Sequence, residues 1–181
     1  MKRILFLHGL ESKANCDKVG FLRSLGHIVT SPKIDYREDN CYDNLKTLVK
    51  YNTYDVIIGS SMGGWVAWNL GKDLGIPVLL LNPAVHSRSI ELNHIDIEPV
   101  RESKPSKVFL ALGLYDDVID PNETLEWLRN HDRLDWNPNN CKMGGYGHRT
   151  SVERFIDIWS HFEKNIEAAN ELQDKYNQDE L

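Results

Sequence analysis

Gly59-Ser60-Ser61-Met62-Gly63 follows directly on the apolar run Val56-Ile57-Ile58 and leads into a helix-compatible stretch, Gly64 to Leu74. A strand can turn straight into a helix only if nothing bulky stands where the two cross. Glycines two positions either side of Ser61 clear that space. The pattern is G-x-S-x-G in a strand–turn–helix setting, which puts the central serine on a sharp, strained turn with its hydroxyl lifted out of the sheet. Ser60 is not the centre, because Ile58 and Met62 stand where glycines are required. The fold must therefore contain a buried strand with a helix folded back against it.

The rest of the chain repeats that unit. Ile4–Leu7 reads as a first strand, apolar throughout, as a strand covered on both faces should be. Cys16 to Leu25 reads as a helix stopped by Gly26, and His27–Thr30 as a short strand ended by Ser31-Pro32. Asn40 to Tyr51 carries Leu45, Leu48 and Val49 at helical spacing. Strands follow at Asp55–Gly59, Val78–Leu81, Lys107–Leu112 and, more weakly, Cys141–Met143. Pro121 to Asn130 is a helix with proline near its start. Val152, Phe155, Ile156, Trp159, Phe162 and Ile166 form the apolar stripe of a last helix. Alternating strands and helices imply an α/β domain of three layers, with about six mainly parallel strands and helices on both faces. Ala84 to Ser106 is polar and aperiodic, too long for a plain connection, and is expected to form a small cap. Residues 170–181 form a polar tail, expected as a frayed helix end or mobile segment.

The 181 residues fit one domain, 1–181, with no linker or repeat. A net charge of −6 with no basic run argues against a nucleic-acid partner and against an anionic membrane surface. Cys16, Cys41 and Cys141 are odd in number and widely spaced, so they read as free thiols in a reducing, cytoplasmic setting. The apolar run after Lys2-Arg3 is too short for a signal peptide. The retention-like ending Gln178-Asp179-Glu180-Leu181 and the Asn122-Glu123-Thr124 acceptor are then expected to be unread. No metal spacing and no phosphate-loop pattern occurs, so no cofactor is expected. Sequence does not fix the oligomeric state.

Parallel sheets bind ligands beyond the carboxyl ends of their strands, where the strand order reverses. If the first strand lies between the second and third, that crevice receives His8-Gly9-Leu10 and Ser61. A serine needs a base to take its proton, and in elbow-type sites the acid and then the histidine follow it in sequence. The strand ending at Gly113 is followed by Asp116, at the commonest offset, with Asp117 and Asp120 as alternatives. Asp120 also suits a cap on the helix at Pro121. Of the later histidines, His131 ends a helix and His161 falls on the polar side of the last one, with Asp157 and Lys164. His148 sits after a glycine-rich loop, between the last strand and last helix, and is the expected base. Two backbone donors for an oxyanion are expected from Met62 and from Leu10 or else Gly9. His8 is expected to brace its loop, Ser12 to be an ordinary loop serine, and Trp65 and Trp68 to lie in the core.

The ordered set Leu7-His8-Gly9-Leu10 with Ser12, Gly59 to Gly64, Asn82-Pro83-Ala84-Val85, Asp116 to Asp120 and Gly144-Gly145 ahead of His148 resembles the α/β-hydrolase superfamily, specifically its small YqiA-like esterase branch. The gap Tyr146-Gly147 before the histidine is longer than that pattern has. The resemblance implies a minimal α/β-hydrolase fold and a serine esterase with Ser61, Asp116 and His148 as its triad. The expected partner is a small ester or thioester substrate. A non-catalytic binding module on the same fold, or a lyase or acyltransferase using the same three residues, are the alternatives.

Overall fold

The structure is a computed structural model and describes residues 1–93, 95, 107–132 and 137–179. Its strands are β1 (Arg3–Leu7), β2 (Ile28–Thr30), β3 (Val56–Ser60), β4 (Val78–Leu81), β5 (Val108–Gly113) and β6 (Cys141–Gly144). Its helices are α1 (Asp17–Ser24), α2 (Cys41–Lys50), α3 (Met62–Leu74), α4 (Pro121–Asp132) and α5 (Val152–Asp179). The sheet order is β2-β1-β3-β4-β5-β6, and each pairing is parallel. β1 does lie between β2 and β3, so the order reverses between β1 and β3. This is the parallel α/β sheet that the alternating pattern implies, in the α/β-hydrolase fold that the resemblance implies.

Side chains on successive strand residues point to opposite faces, so each strand feeds two cores. Leu5, Leu7, Ile57, Leu80 and Leu110 pack with α2, α3 and α4 through Leu45, Trp65 and Leu128. Ile4, Phe6, Ile58, Leu79 and Phe109 pack with α1 and α5 through Leu22, Phe155 and Trp159. Trp65 and Trp68 lie in the first core, stacked at 5.4 Å, with Trp127 edge-on to both.

Both edges of the sheet are short. β2 has three residues, and the Arg23 guanidinium donates to the carbonyl of Val29 there. β6 has four, with Lys142 paired to Asp157 at 2.8 Å. Gly26 stops α1 in a left-handed conformation, φ 83°.

The tail expected as a frayed helix end or a mobile segment continues α5 as helix to Asp179. Glu171, Leu172, Gln173 and Lys175 are good helix formers, and polarity argues against burial rather than against a helix. His161 is half-buried rather than exposed: its ring meets Phe109 edge-on at 5.4 Å and Nε2 donates to the Pro138 carbonyl at 2.7 Å. Of the expected cap, Ala84–Leu92 is described, with Ala84, Val85 and Leu92 buried. Residue 94 and residues 96–106 lie outside the described residues.

The glycines at the crossing carry the tightest constraint. A Cβ on Gly59 would fall 2.2 Å from the Gly63 carbonyl oxygen, and one on Gly63 would fall 2.2 Å from that of Leu7. Gly20, in α1, has nothing within 4 Å of such a carbon. Gly59→Ala is expected to destabilise by about 3 kcal/mol or more. Gly20→Ala should stabilise by about 0.5–1 kcal/mol. Denaturant unfolding of the two variants checks both signs.

His27 gives the fold a pH dependence. Its Nδ1 accepts the Lys2 N–H at 3.1 Å, so the neutral ring carries its proton on Nε2, 3.6 Å from Glu163. Burial lowers its pKa from 6.5, and the N-terminal amine and Lys2 lower it further, against the pull of Glu163. Below that value the unfolded chain takes up a proton that the folded one refuses, so stability is full above it and falls with acid. Melting temperature should drop more steeply from about pH 7.5 to about pH 5.5 in the wild type than in His27→Gln, which keeps an acceptor but cannot titrate.

Candidate active site

Ser61 stands at the join of β3 and α3 with φ 53° and ψ −118°, a conformation that side-chain-bearing residues rarely adopt. Four backbone hydrogen bonds hold it. Its N–H donates to Leu81 at 3.0 Å, and its carbonyl accepts from Gly64 at 2.9 Å, Trp65 at 3.2 Å and Ala84 at 3.0 Å. With the backbone thus fixed, the side chain leaves the sheet toward the loops beyond the strands' carboxyl ends.

There Ser61 Oγ lies 3.0 Å from His148 Nε2, and His148 Nδ1 lies 2.8 Å from Asp116 Oδ2. The other Asp116 oxygen accepts the N–H groups of Val118 at 2.9 Å and Ile119 at 2.8 Å. The carboxylate side chain is 1% exposed and the imidazole 19%. An acceptor-only carboxylate at Nδ1 puts the neutral ring's proton there and leaves the Nε2 lone pair facing the serine hydroxyl. The three candidates from sequence are therefore joined in one hydrogen-bonded line. Of the alternative acids, Asp117 is exposed, and Asp120 caps α4 by accepting from Asn122 at 2.7 Å and Glu123 at 3.1 Å.

The loop after β1 comes up beside the serine. A Cβ on Gly9 would lie 3.3 Å from that of Ser61. Among the described residues no backbone carbonyl takes the N–H of Met62 or of Leu10, so both remain available as donors. His8 braces this loop as expected. Its Nε2 accepts from Ile34 N–H at 3.1 Å, so Nδ1 carries the proton and donates to Gly9 O at 2.7 Å. The Tyr36 hydroxyl donates to the His8 carbonyl at 2.5 Å. Ser12 stays a loop residue, its N–H donating to Gly9.

The pocket over Ser61 and His148 has a volume of about 650 Å³. Ala84, Ser87 and Arg88 form part of its wall, so the described part of the expected cap borders the site. Arg88 lies over the Trp65 ring at 4.2 Å and is paired with Glu91 at 3.0 Å. His131 is remote from this line, stacked on Trp127 at 3.7 Å. Cys16, Cys41 and Cys141 are free thiols. Burial pushes Cys41 and Cys141 up to about 11, which keeps both protonated at neutral pH. Among the described residues no His, Cys, Asp and Glu group could hold a metal ion, and no helix is long and apolar enough to cross a membrane.

Asn82 stands in the sequence pattern, but its positioning role was not legible there. It follows β4, is 1% exposed and adopts φ 43°. Its Oδ1 accepts the Gly113 N–H at 2.7 Å, and its amide donates to the carbonyls of His148 at 2.9 Å and Gly147 at 3.2 Å. One side chain thus ties the end of β5, which leads to Asp116, to the loop that carries His148. Asparagine tolerates a positive φ better than most residues, which suits it to this position, but its partners are not local. Asn82→Ala leaves a buried N–H and two part-buried carbonyls without this partner, and should cost about 1–3 kcal/mol in denaturant unfolding.

With this geometry in hand, the likeness to known proteins is specific. No curated protein matches the chain. In fold it is similar to a candidate hydrolase of the alpha/beta superfamily from Xanthomonas campestris pv. campestris, with TM-score 0.62, 14% identity and coverage of 90% of this chain and 97% of the other. It is similar to SOBER1 of Arabidopsis thaliana, with TM-score 0.61, 16% identity and coverage of 91% and 99%. It is also similar to a pyrethroid hydrolase from Sphingobium faniae JZ-2, with TM-score 0.58, 12% identity and coverage of 89% and 96%. At such identities the likeness is one of fold. Sequence gives the narrower placement: the model of the family described as Uncharacterised protein family UPF0227 matches residues 3–102, from β1 through the turn at Ser61. The chain belongs to this UPF0227 family, the YqiA-like branch of the α/β-hydrolase superfamily.

Proposed function

We propose that this protein is a serine hydrolase that cleaves small carboxylic esters or thioesters through an acyl-enzyme on Ser61. The observation that carries the reading is the line Ser61 Oγ, His148 Nε2, His148 Nδ1, Asp116 Oδ2, with steps of 3.0 and 2.8 Å, at the top of a strained strand–helix turn. The names of fold neighbours add support, since a pyrethroid hydrolase and an esterase, PE8, are among them.

In this mechanism Ser61 Oγ attacks the acyl carbon as its proton passes to His148 Nε2. The carbonyl electron pair moves onto oxygen, where the N–H groups of Met62 and Leu10 receive it. Asp116 keeps the proton on Nδ1 and stabilises the imidazolium. When the carbonyl re-forms, the bond to the leaving alcohol or thiol breaks and that group takes the Nε2 proton. Water then gives its proton to Nε2 and attacks the acyl carbon. Collapse of this second adduct returns the proton to Ser61 Oγ and frees the acid. Free thiols at Cys16, Cys41 and Cys141 fit a reducing, cytoplasmic setting for this chemistry.

Ser61→Ala and His148→Ala should each lower kcat/KM on p-nitrophenyl butyrate by a factor of about 10⁴ or more, and both should stay folded. Asp116→Asn should lose on the order of 10³–10⁴ by favouring the wrong tautomer, with Asp117→Asn and Asp120→Asn losing far less. A fluorophosphonate should label the wild type and not Ser61→Ala. Wild-type turnover equal to that of Ser61→Ala would refute the reading. A pocket of about 650 Å³ also favours short acyl chains over emulsified long-chain lipids, which a chain-length series of p-nitrophenyl esters measures.

A further inference from the structure

The charge around the site is opposite in sign to that of the chain. The protein carries a net −6. Yet among the described residues the pocket over Ser61 and His148 is lined by four cations, Lys13, Lys18, Arg88 and Arg149, against one carboxylate, Glu11. That carboxylate is taken, since Arg37 binds it at 2.7 Å from outside the pocket. Arg88 is also committed, to Glu91, to the Val85 carbonyl and to the Trp65 ring. Lys13, Lys18 and Arg149 remain, and among the described residues none has a carboxylate partner.

Their positions in the chain are independent of one another. Lys13 is in the loop after β1, Lys18 is in the first turn of α1, and Arg149 directly follows His148. Three cations from separate segments, without a carboxylate partner among the described residues and meeting at one pocket of an acidic protein, make a local positive field that attracts anions and repels cations. The same lining also includes the apolar side chains Leu10, Met62, Val118 and Ile119. The pocket thus combines an apolar surface with a cationic rim, a pairing suited to a ligand that has an apolar part and an anionic end.

We infer that the site selects esters or thioesters carrying a carboxylate or phosphate, held by Lys13, Lys18 and Arg149. This rests on the hydrolase reading for turnover but not for binding. Phosphate and carboxylate share the chemistry the rim recognises, and the anion can sit on the acid or on the alcohol part of the substrate.

Two matched pairs separate these sources. The p-nitrophenyl monoester of glutaric acid against p-nitrophenyl pentanoate places the charge on the acid. The butyrate ester of glycerol 3-phosphate against that of glycerol places it on the alcohol. At low ionic strength the anionic member of at least one pair should have a kcat/KM higher by about tenfold. The advantage should shrink in about 0.5 M salt, where screening shortens the reach of the field. The combined variant Lys13→Gln, Lys18→Gln, Arg149→Gln should bring the ratio to within about twofold, whereas Lys50→Gln, on α2, should leave it intact. Titration of the same pairs into Ser61→Ala reads binding without chemistry, and the anionic ester should bind about tenfold more tightly. Neutral esters preferred or equal in both pairs, or a preference that survives the combined variant, would overturn the inference. Selective binding by Ser61→Ala with no turnover of any ester by the wild type would leave the charge inference standing and refute the hydrolase reading instead.

Discussion

The crossing of β1, β3 and α3 leaves no room for a side chain. A side chain on Gly59 would meet the Gly63 backbone, and one on Gly63 would meet the carbonyls of Leu7 and His8. Because the helix must start at once after the strand, Ser61 is forced to a positive φ, and four hydrogen bonds to Leu81, Gly64, Trp65 and Ala84 hold it there. The same proximity brings the loop after β1 alongside the serine. Strain that would cost of order 1–3 kcal/mol in isolation is stored where it aims a hydroxyl out of the sheet. Everything else at the site is arranged around that fixed point.

The partners of Ser61 come from the far side of the sheet order and are held by a different means. Asp116 is fixed by the two N–H groups of its own turn, and His148 by Asp116 at one nitrogen and Ser61 at the other. Neither loop is rigid on these terms alone. Asn82 supplies the missing tie, since it bonds to the end of β5 and to the His148 loop at once. The strand between the serine and the acid thus contributes a side chain that touches neither but positions both of the serine's partners.

What sequence made legible was what is local. The crossing, the alternation of strands and helices and the positions of Ser61 and His148 follow from glycine spacing and chain order within short segments, whereas the strand order entered only as a condition. Asp116 was preferred by its offset but not fixed against Asp117 and Asp120, because the choice depends on how one turn folds. Asp116 bonds to residues two and three further on, while Asp120 bonds ahead into α4. Asn82 was out of reach because its partners lie 31, 65 and 66 positions away. His161 was misjudged for a related reason, since helix periodicity assigns it a polar side but cannot see Phe109 on β5 beneath it. The charge of the pocket was hidden too, because a net −6 is an average and Lys13, Lys18 and Arg149 meet only in the folded chain.

The brevity of β2 and β6 has a consequence beyond the site. An open sheet ends in rows of unsatisfied backbone groups, and a long flat row is a template on which another chain can polymerise. Here one border is three residues long, is followed by Ser31-Pro32, and already gives the Val29 carbonyl to Arg23. The other is four residues long and bears a lysine locked to the neighbouring helix. Neither border can seed cross-β growth of any length, so the hydrophobic sheet stays a closed interior even though its hydrogen-bond ladder is open at both ends.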